Sequence, residues 1–195
     1  MKKSKIIFWV FGVLASLYLL IPEPSLPPPD LPDSLKSDLP GDTVQISRVS
    51  AYFSDKTRNE VISFYQAYFS RSPFFNLPLV TIRLNHPPEY AKEIIRDTTQ
   101  SYYFEELIHP FKSSLFINGF DWQNDVFTPP DKRAQNKLIY NQKTWLVKVT
   151  LKWFSSGLIA ELLIFWSAWL VFAIASKLWF LEIKTLLNFL IKKKR

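Results

Sequence analysis

The chain has no cysteine, four glycines and two histidines among its 195 residues. Without cysteine it can form neither a disulfide scaffold nor a thiolate metal site, and it has no cysteine nucleophile. The glycines at positions 12, 41, 119 and 157 are too scattered for the phosphate-binding patterns G-x-G-x-x-G and G-x-x-x-x-G-K. A G-x-S-x-G motif is also missing, so the signatures of several large enzyme classes are excluded.

The middle of the chain has no net charge, although the whole protein carries a net charge of +7. Residues 22–155 contain fifteen basic and fifteen acidic side chains, and the basic excess lies in residues 1–5 and 177–195. A protein that binds nucleic acid needs a basic surface to contact phosphates. We therefore expect no nucleic-acid partner.

Residues 6–21 form an uncharged apolar run that follows the basic N-terminus, residues 1–5. As a helix this run is roughly 24 Å long, somewhat less than a hydrocarbon core of about 30 Å. Snorkelling of Lys5 and slight thinning of the bilayer allow it to span, so we predict transmembrane helix 1, a signal anchor. Cleavage after Val13-Leu14-Ala15 is the alternative, although the apolar run continues beyond Ala15.

Residues 157–181 form a second apolar run, which is long enough to span with some tilt. Its charges, Glu161 and Lys177, lie near its two ends, and the fifteen residues between them are uncharged. Glu161 is interpreted as an interfacial group or as a functional contact within the bilayer. Trp153 and Trp179 are 26 residues apart, roughly 39 Å of helix, which matches two aromatic belts. The predicted membrane-interface residues are Trp153, Glu161, Lys177, Trp179, Lys192, Lys193, Lys194 and Arg195.

Basic residues flank both apolar runs on their terminal sides, which predicts a two-span protein of the cell membrane with both termini cytoplasmic. The middle is then extracytoplasmic, and its short join to the second run keeps it close to the membrane. The basic tail, residues 182–195, resembles an amphipathic helix on the cytoplasmic leaflet. Direct continuation of the second membrane helix is the alternative.

Residues 22–42 hold seven of the fourteen prolines and few large apolar side chains. This composition favours an extended, solvated stalk that packs into no core. Residues 43–155 are predicted to form one α+β domain of about 110 residues, with a mixed or antiparallel sheet of four to six strands and two helices on one face.

Apolar spacing predicts the elements of this domain. A capping box at Thr57 and Glu60 begins a helix of about fourteen residues, and Pro87-Pro88 begins another. Residues 102–109 fit a strand better than an extension of that second helix. Further strands are predicted at residues 43–53, 77–84, 115–119 and 145–153. A turn or bulge is expected at residues 118–119. The strand at residues 145–153 is predicted to be half-buried and to pair with residues 138–140.

Four polar residues are the candidates for chemistry: His86, Glu105, Glu106 and His109. Glu106 and His109 have the E-x-x-H spacing of di-iron bundles, but those bundles need two such pairs. Glu105 and Glu106 are neighbours in a predicted strand and point to opposite faces, which favours solvated or salt-bridged carboxylates over an acid-base pair. We therefore expect no metal and no cofactor, and the sequence identifies no catalytic residue.

The sequence is most consistent with a non-enzymatic protein whose extracytoplasmic domain binds a partner in the envelope, either an envelope protein or a second copy of the chain, and which also contacts the lipid bilayer. Two alternatives stay open. One is a membrane-tethered hydrolase of an envelope polymer that uses some of the four polar residues. The other is a signalling subunit that acts through residues 182–195.

Overall fold

The computed structural model describes residues 2–40, 42, 46–95 and 101–193, with side chains between residues 6 and 185. The chain divides into two compact units. Met1–Leu20 and Gly157–Arg195 make up the first, which we call the helical unit, and Ile21–Ser156 make up the second, the sheet domain. The prediction of an α+β fold with an antiparallel sheet is confirmed.

Antiparallel strands build the sheet domain. They are β1 Ser34–Lys36, β2 Val49–Ser54, β3 Ile82–His86, β4 Tyr103–Ile108, β5 Ser114–Asp121, β6 Leu138–Tyr140, β7 Lys143–Trp145 and β8 Val147–Phe154. Six of them form one sheet in the order β1-β2-β8-β5-β4-β3, so β1 and β3 are its edges. The other two, β6 and β7, form the predicted hairpin as a small separate sheet. The first residues of the strand expected at 43–53 lie partly outside the described residues.

Helix α2, Arg58–Phe69, covers one face of the sheet, which we call the α2 face. Side chains alternate along a strand, so Tyr103 and Leu107 of β4 share this face with their cross-strand neighbours Gly119 and Leu115 of β5. The main core lies between helix and sheet. Its fully buried members include Tyr52, Val61, Ile62, Tyr65, Phe69, Leu107, Leu115, Ile117, Val149 and Leu151.

The capping box predicted at the start of α2 is present. The Thr57 hydroxyl accepts a hydrogen bond from the Glu60 backbone N–H, and the Glu60 carboxylate accepts one from the Thr57 backbone N–H at 2.8 Å. Two N–H groups that the helix cannot satisfy are thereby bonded. The sequence alone was sufficient here because every partner lies within four residues.

The second short helix, α3, Ala91–Ile94, lies on the other face of the sheet. It follows a 3₁₀ turn at Pro88–Tyr90, as Pro87-Pro88 predicted, and it packs on Phe104 and Phe116. Those two side chains point away from α2, so the expectation of two helices on one face is wrong. The alternation of strand side chains shows which residues share a face, but not which helix covers that face.

Strand β8 is buried on both faces, whereas the sequence predicted a half-buried strand. It pairs with β2 on one side and β5 on the other, and its residues 147–151 are buried on both faces. Lys148, which a half-buried strand would place in solvent, is buried and forms an ion pair with Asp42 at 2.8 Å. A buried lysine is tolerated because this carboxylate accompanies it.

The described part of the proline-rich segment, residues 22–40 and 42, packs against the rest of the sheet domain, which corrects the prediction of a stalk outside the core. Leu31 lies in the main core with 2% exposure, and β1 pairs with β2. The Tyr52 hydroxyl donates to Asp30 at 2.7 Å, and the Ser72 hydroxyl donates to the Pro22 carbonyl at 2.6 Å. Extended proline-rich chain leaves its carbonyl groups free to accept such bonds. One inserted leucine and these acceptors hold the segment in place despite its composition.

Strand β5 runs through Asn118 and Gly119, so the turn or bulge predicted there is wrong. A Cβ on Gly119 would lie 2.0 Å from the ring of Tyr103, its partner across the ladder. The glycine therefore makes room for an aromatic ring. The strand expected at residues 77–84 is also shifted, since the regular part begins at Ile82.

Two apolar helices make up the helical unit. Helix α1, Lys2–Ser16, continues into a 3₁₀ turn, Leu17–Leu20, and helix α4, Leu158–Lys193, runs without interruption for 36 residues. The continued helix is thus observed, rather than a separate tail. Leu158–Thr185 is long and apolar enough to cross a membrane, whereas Ile6–Leu20 is a shorter apolar helix. The structure is compatible with one membrane anchor at α4.

Aromatic contacts join α1 to α4. The Phe8 ring stacks on Trp169 with centroids 4.7 Å apart, and Trp9 stacks on Trp166 at 6.2 Å. Both tryptophans of α4 thus contact the first apolar helix. Gly12 lies where a Cβ would come within 2.7 Å of the Trp169 indole, so a small residue permits this close approach.

Candidate partner-binding surface

The four polar candidates from the sequence lie in three separate environments. Glu105 faces α2, Glu106 lies on the opposite face, and His109 follows the end of β4. The E-x-x-H spacing therefore brings no two ligands together, because a strand separates what one helical turn would have joined. Within the described residues, no three His, Asp or Glu side chains form a group that could hold a metal ion.

Glu105 is completely buried between two arginines. Arg58, the first residue of α2, reaches one carboxylate oxygen at 2.7 Å, and Arg83 of β3 binds both oxygens. The salt-bridged interpretation of Glu105 is confirmed. We call this group the arginine cluster; its two guanidinium groups against one carboxylate leave a formal charge of +1.

The arginines remain partly exposed although their carboxylate partner is not. Arg58 also donates to the Asn85 side-chain oxygen at 3.2 Å and lies over the Tyr103 ring at 5.3 Å. Burial raises the pKa of the Tyr103 hydroxyl, and the positive charge of Arg58 opposes that shift. Glu105 thus fixes two outward-facing guanidinium groups, which are suited to bind carboxylates of another molecule.

Strand β3 forms the edge of the sheet beside this cluster. Ile82 and Leu84 are 45% and 40% exposed, and they alternate with Arg83 and Asn85 of the α2 face. In the part of the chain that the structure describes, no strand pairs with the outer side of β3. The edge therefore offers backbone hydrogen-bonding groups, apolar side chains on one face and positive charge on the other.

His86 and Glu106 form a second pair on the face opposite α2. The His86 Nε2 donates to Glu106 at 2.8 Å, and the histidine ring lies near Phe104 and Phe116. Glu105, the neighbour of Glu106 in β4, points to the other face. This pair and the arginine cluster are therefore two sites, not one.

His109 is buried and contacts both the proline-rich segment and the C-terminal end of α2. Its Nδ1 lies 2.7 Å from Glu23 and its Nε2 lies 2.7 Å from the Phe69 carbonyl oxygen. Both ring nitrogens therefore lie within hydrogen-bond distance of an oxygen, which fixes the position of the ring. Ser113 donates to the same Glu23 oxygen at 2.6 Å. Burial opposes ionisation of Glu23, but these donors outweigh it and lower the pKa of the carboxyl group.

The predicted membrane-interface residues occupy different parts of the fold. Trp153 belongs to β8 and packs against the main core, so the roughly 39 Å helical spacing to Trp179 does not hold. Glu161 is buried in the first turn of α4, while Lys177 and Trp179 are exposed farther along it. The side chains of Lys192 and Lys193, and all of Lys194 and Arg195, lie outside the described residues.

Sequence reasoning missed Arg58 and Arg83. The available indication was Glu105, which occupies an α2-face position between the apolar Tyr103 and Leu107. A carboxylate at a core position requires a cation, but the chain does not reveal which of its many basic residues supplies it.

Comparison of the chain with family models, with curated proteins and with solved structures finds no match.

Proposed function

We propose that this protein is a membrane-anchored binding protein whose sheet domain lies outside the cytoplasm and binds an extended segment of an envelope protein. The observation that carries the proposal is the exposed edge strand β3 beside the arginine cluster. This extends the expectation from the sequence by naming the surface that takes part.

Membrane anchorage is supported by the length and apolar composition of Leu158–Thr185. A second span is supported by the contacts of α1: Phe8 lies near Phe172, whereas Gly12 lies near Trp166, so the two helices run antiparallel. An antiparallel pair would bring both chain ends to one side of the bilayer. The lysines at both ends favour the cytoplasmic side, which leaves the sheet domain outside.

The edge strand suggests how a partner would bind. A segment in extended conformation can add to β3 through main-chain hydrogen bonds, and its alternate side chains then meet the two faces of the sheet. Apolar side chains would lie beside Ile82 and Leu84. Acidic side chains would lie beside Arg58 and Arg83, whose excess positive charge they would neutralise. The partner segment should therefore alternate apolar residues with aspartate or glutamate.

Site-specific photo-crosslinking in the natural host tests this proposal. With p-benzoylphenylalanine in place of Leu84, we expect a covalent adduct with an envelope protein, formed within a segment that alternates apolar and acidic residues. The matched control places the same probe at Ile139, which is exposed and lies in β6, outside the six-stranded sheet that β3 borders. That position should give no such adduct.

Charge removal supplies the second arm. Because Arg83 is part of the proposed contact, Arg83→Gln should reduce the adduct at position 84 severalfold, while the protein remains in the membrane fraction. Equal adducts at positions 84 and 139, an adduct that Arg83→Gln leaves unchanged, or an adduct only with a second copy of the chain would each contradict the proposal.

A further inference from the structure

A tight turn of the sheet domain exposes two adjacent phenylalanines. The chain reverses between Arg71 and Pro78, which form an isolated bridge, and the Leu77 N–H donates to the Phe74 carbonyl at 3.2 Å. Phe74 is 53% exposed and Phe75 is 83% exposed, and their rings contact each other edge to face. We call this segment the phenylalanine turn.

The backbone of this turn makes its composition unusual. Phe75 and Asn76 have φ values of 51° and 52°, in the left-handed region that glycine and asparagine adopt most easily. Asn76 fits that preference, but Phe75 does not. A large apolar side chain therefore occupies a strained position in which it also meets water. An apolar environment that receives the ring would explain this choice of residue.

Three hydrogen bonds place the phenylalanine turn at one particular end of the sheet domain. Ser72, within the turn, donates to the Pro22 carbonyl at 2.6 Å. The Lys112 ammonium group donates to the Ile21 carbonyl at 2.6 Å, and the Ser156 hydroxyl donates to the Lys112 carbonyl at 2.9 Å. Ile21 and Ser156 are the first and last residues of the domain, so we call this region the junction end.

Another phenylalanine is exposed at the junction end. Phe111 precedes Lys112 in the turn between β4 and β5, has a φ of 63° and is 47% exposed. Two turns, well separated in the sequence, thus present phenylalanine from left-handed positions at the same end of the domain. This is also the end at which the chain leaves for both apolar helices.

We propose that Phe74, Phe75 and Phe111 insert into the boundary between headgroups and acyl chains of the bilayer that anchors the protein, so that the junction end rests on lipid. Only Gly157 separates Ser156 from the first residue of α4, a distance of at most about 7 Å along the backbone. The apolar phase nearest to these rings is therefore the bilayer. Aromatic side chains at this depth are favourable because they leave water while the neighbouring backbone stays hydrated.

The absence of cysteine makes single-site labelling a direct test. The full chain would be reconstituted in phosphatidylcholine vesicles with the environment-sensitive fluorophore NBD on Phe75→Cys or, separately, on Phe111→Cys. We expect a blue-shifted emission at both positions and loss of emission when the vesicles contain phosphatidylcholine spin-labelled near the headgroup. Two labelled positions are used so that the result does not depend on one substitution.

Two control positions separate this inference from the anchorage on which it rests. Ile139 is 70% exposed and belongs to β6, which precedes the start of β8, whereas Ser156 follows the end of β8. A label on Ile139→Cys should therefore stay unquenched. Ile164→Cys, in α4, should be quenched by lipid spin-labelled in the middle of the acyl chain. No quenching at position 164 would contradict the anchorage in the proposed function. Quenching at 164 without quenching at 75 and 111, or equal quenching at 75 and 139, would overturn the lipid contact alone.

Discussion

Gly119 lies directly opposite Tyr103 in the ladder between β4 and β5, and the tyrosine ring occupies the space that any larger residue at position 119 would need for its side chain. The ring is buried, so it cannot move into solvent without opening the core. An aromatic ring lying over a glycine stabilises a sheet at a position where the glycine alone would weaken it.

Gly119→Ala should destabilise the sheet domain. The new methyl group would lie 2.0 Å from the ring of Tyr103, and overpacking of this kind costs about 1–3 kcal/mol. Thermal unfolding in detergent, followed by circular dichroism, measures the change. Gly157→Ala is the matched control, because a Cβ there meets nothing within 4 Å. Equal melting temperatures for the two variants would contradict the packing of Gly119 against Tyr103.

Leu31→Ala should destabilise the domain because the proline-rich segment shares its core. Leu31 is 2% exposed, and removing a buried leucine side chain costs about 2–5 kcal/mol. Limited proteolysis should also cut residues 22–42 faster in this variant than in the natural protein. Leu39→Ala, at a residue that is 41% exposed, should change neither property. The same rapid cleavage in the natural protein would show that the segment is a free stalk.

The Glu23 carboxyl group should make stability depend on pH. Hydrogen bonds from His109 and Ser113 lower its pKa below the usual 4.5 in the folded protein, despite the opposing effect of burial. The unfolded chain then binds a proton more readily, so this contribution is present above the unfolded pKa and is lost as the pH falls through the folded pKa.

Glu23→Gln removes that contribution. The difference in melting temperature between Glu23→Gln and the natural protein should be largest near neutral pH and should shrink below a pH of about 4.5. Glu89→Gln, at an exposed residue, is the control and should follow the natural protein throughout. A difference that stays constant with pH would show that Glu23 acts by packing and not by charge.

Gly12→Leu should separate α1 from α4, because the glycine gives room to the indole of Trp169. Proximity can be measured with a short bifunctional maleimide between Phe8→Cys and Phe172→Cys, whose natural rings have centroids 6.1 Å apart. We expect efficient crosslinking in the Gly12 background and a severalfold loss with leucine. Val13→Leu, on an exposed position, should leave the crosslink intact. An unchanged yield with Gly12→Leu would contradict the close helix contact.

Local rules predicted the parts of the fold whose partners are close in sequence. The capping box at Thr57, the proline start before α3 and the alternating strands at β4 and β8 all followed from such rules. The failures share a physical cause, since each depends on a distant partner. Leu31 enters a core made by other segments, and Lys148 is buried only because Asp42 accompanies it.

The sequence by itself determined an apolar segment near each terminus, a neutral α+β middle and the composition that excludes several enzyme classes, because these features depend on residue types and short spacings. Only the tertiary structure decided that Arg58 and Arg83 share the buried Glu105, that β3 is an edge, and that Phe75 and Phe111 lie at the end where the chain leaves the domain. The two arginines are 47 and 22 positions away from Glu105 in the sequence, and the two phenylalanines belong to separate turns. All of these relationships depend on strand order. Strand order is fixed by which surfaces are buried together, and no local pattern in the chain specifies that choice.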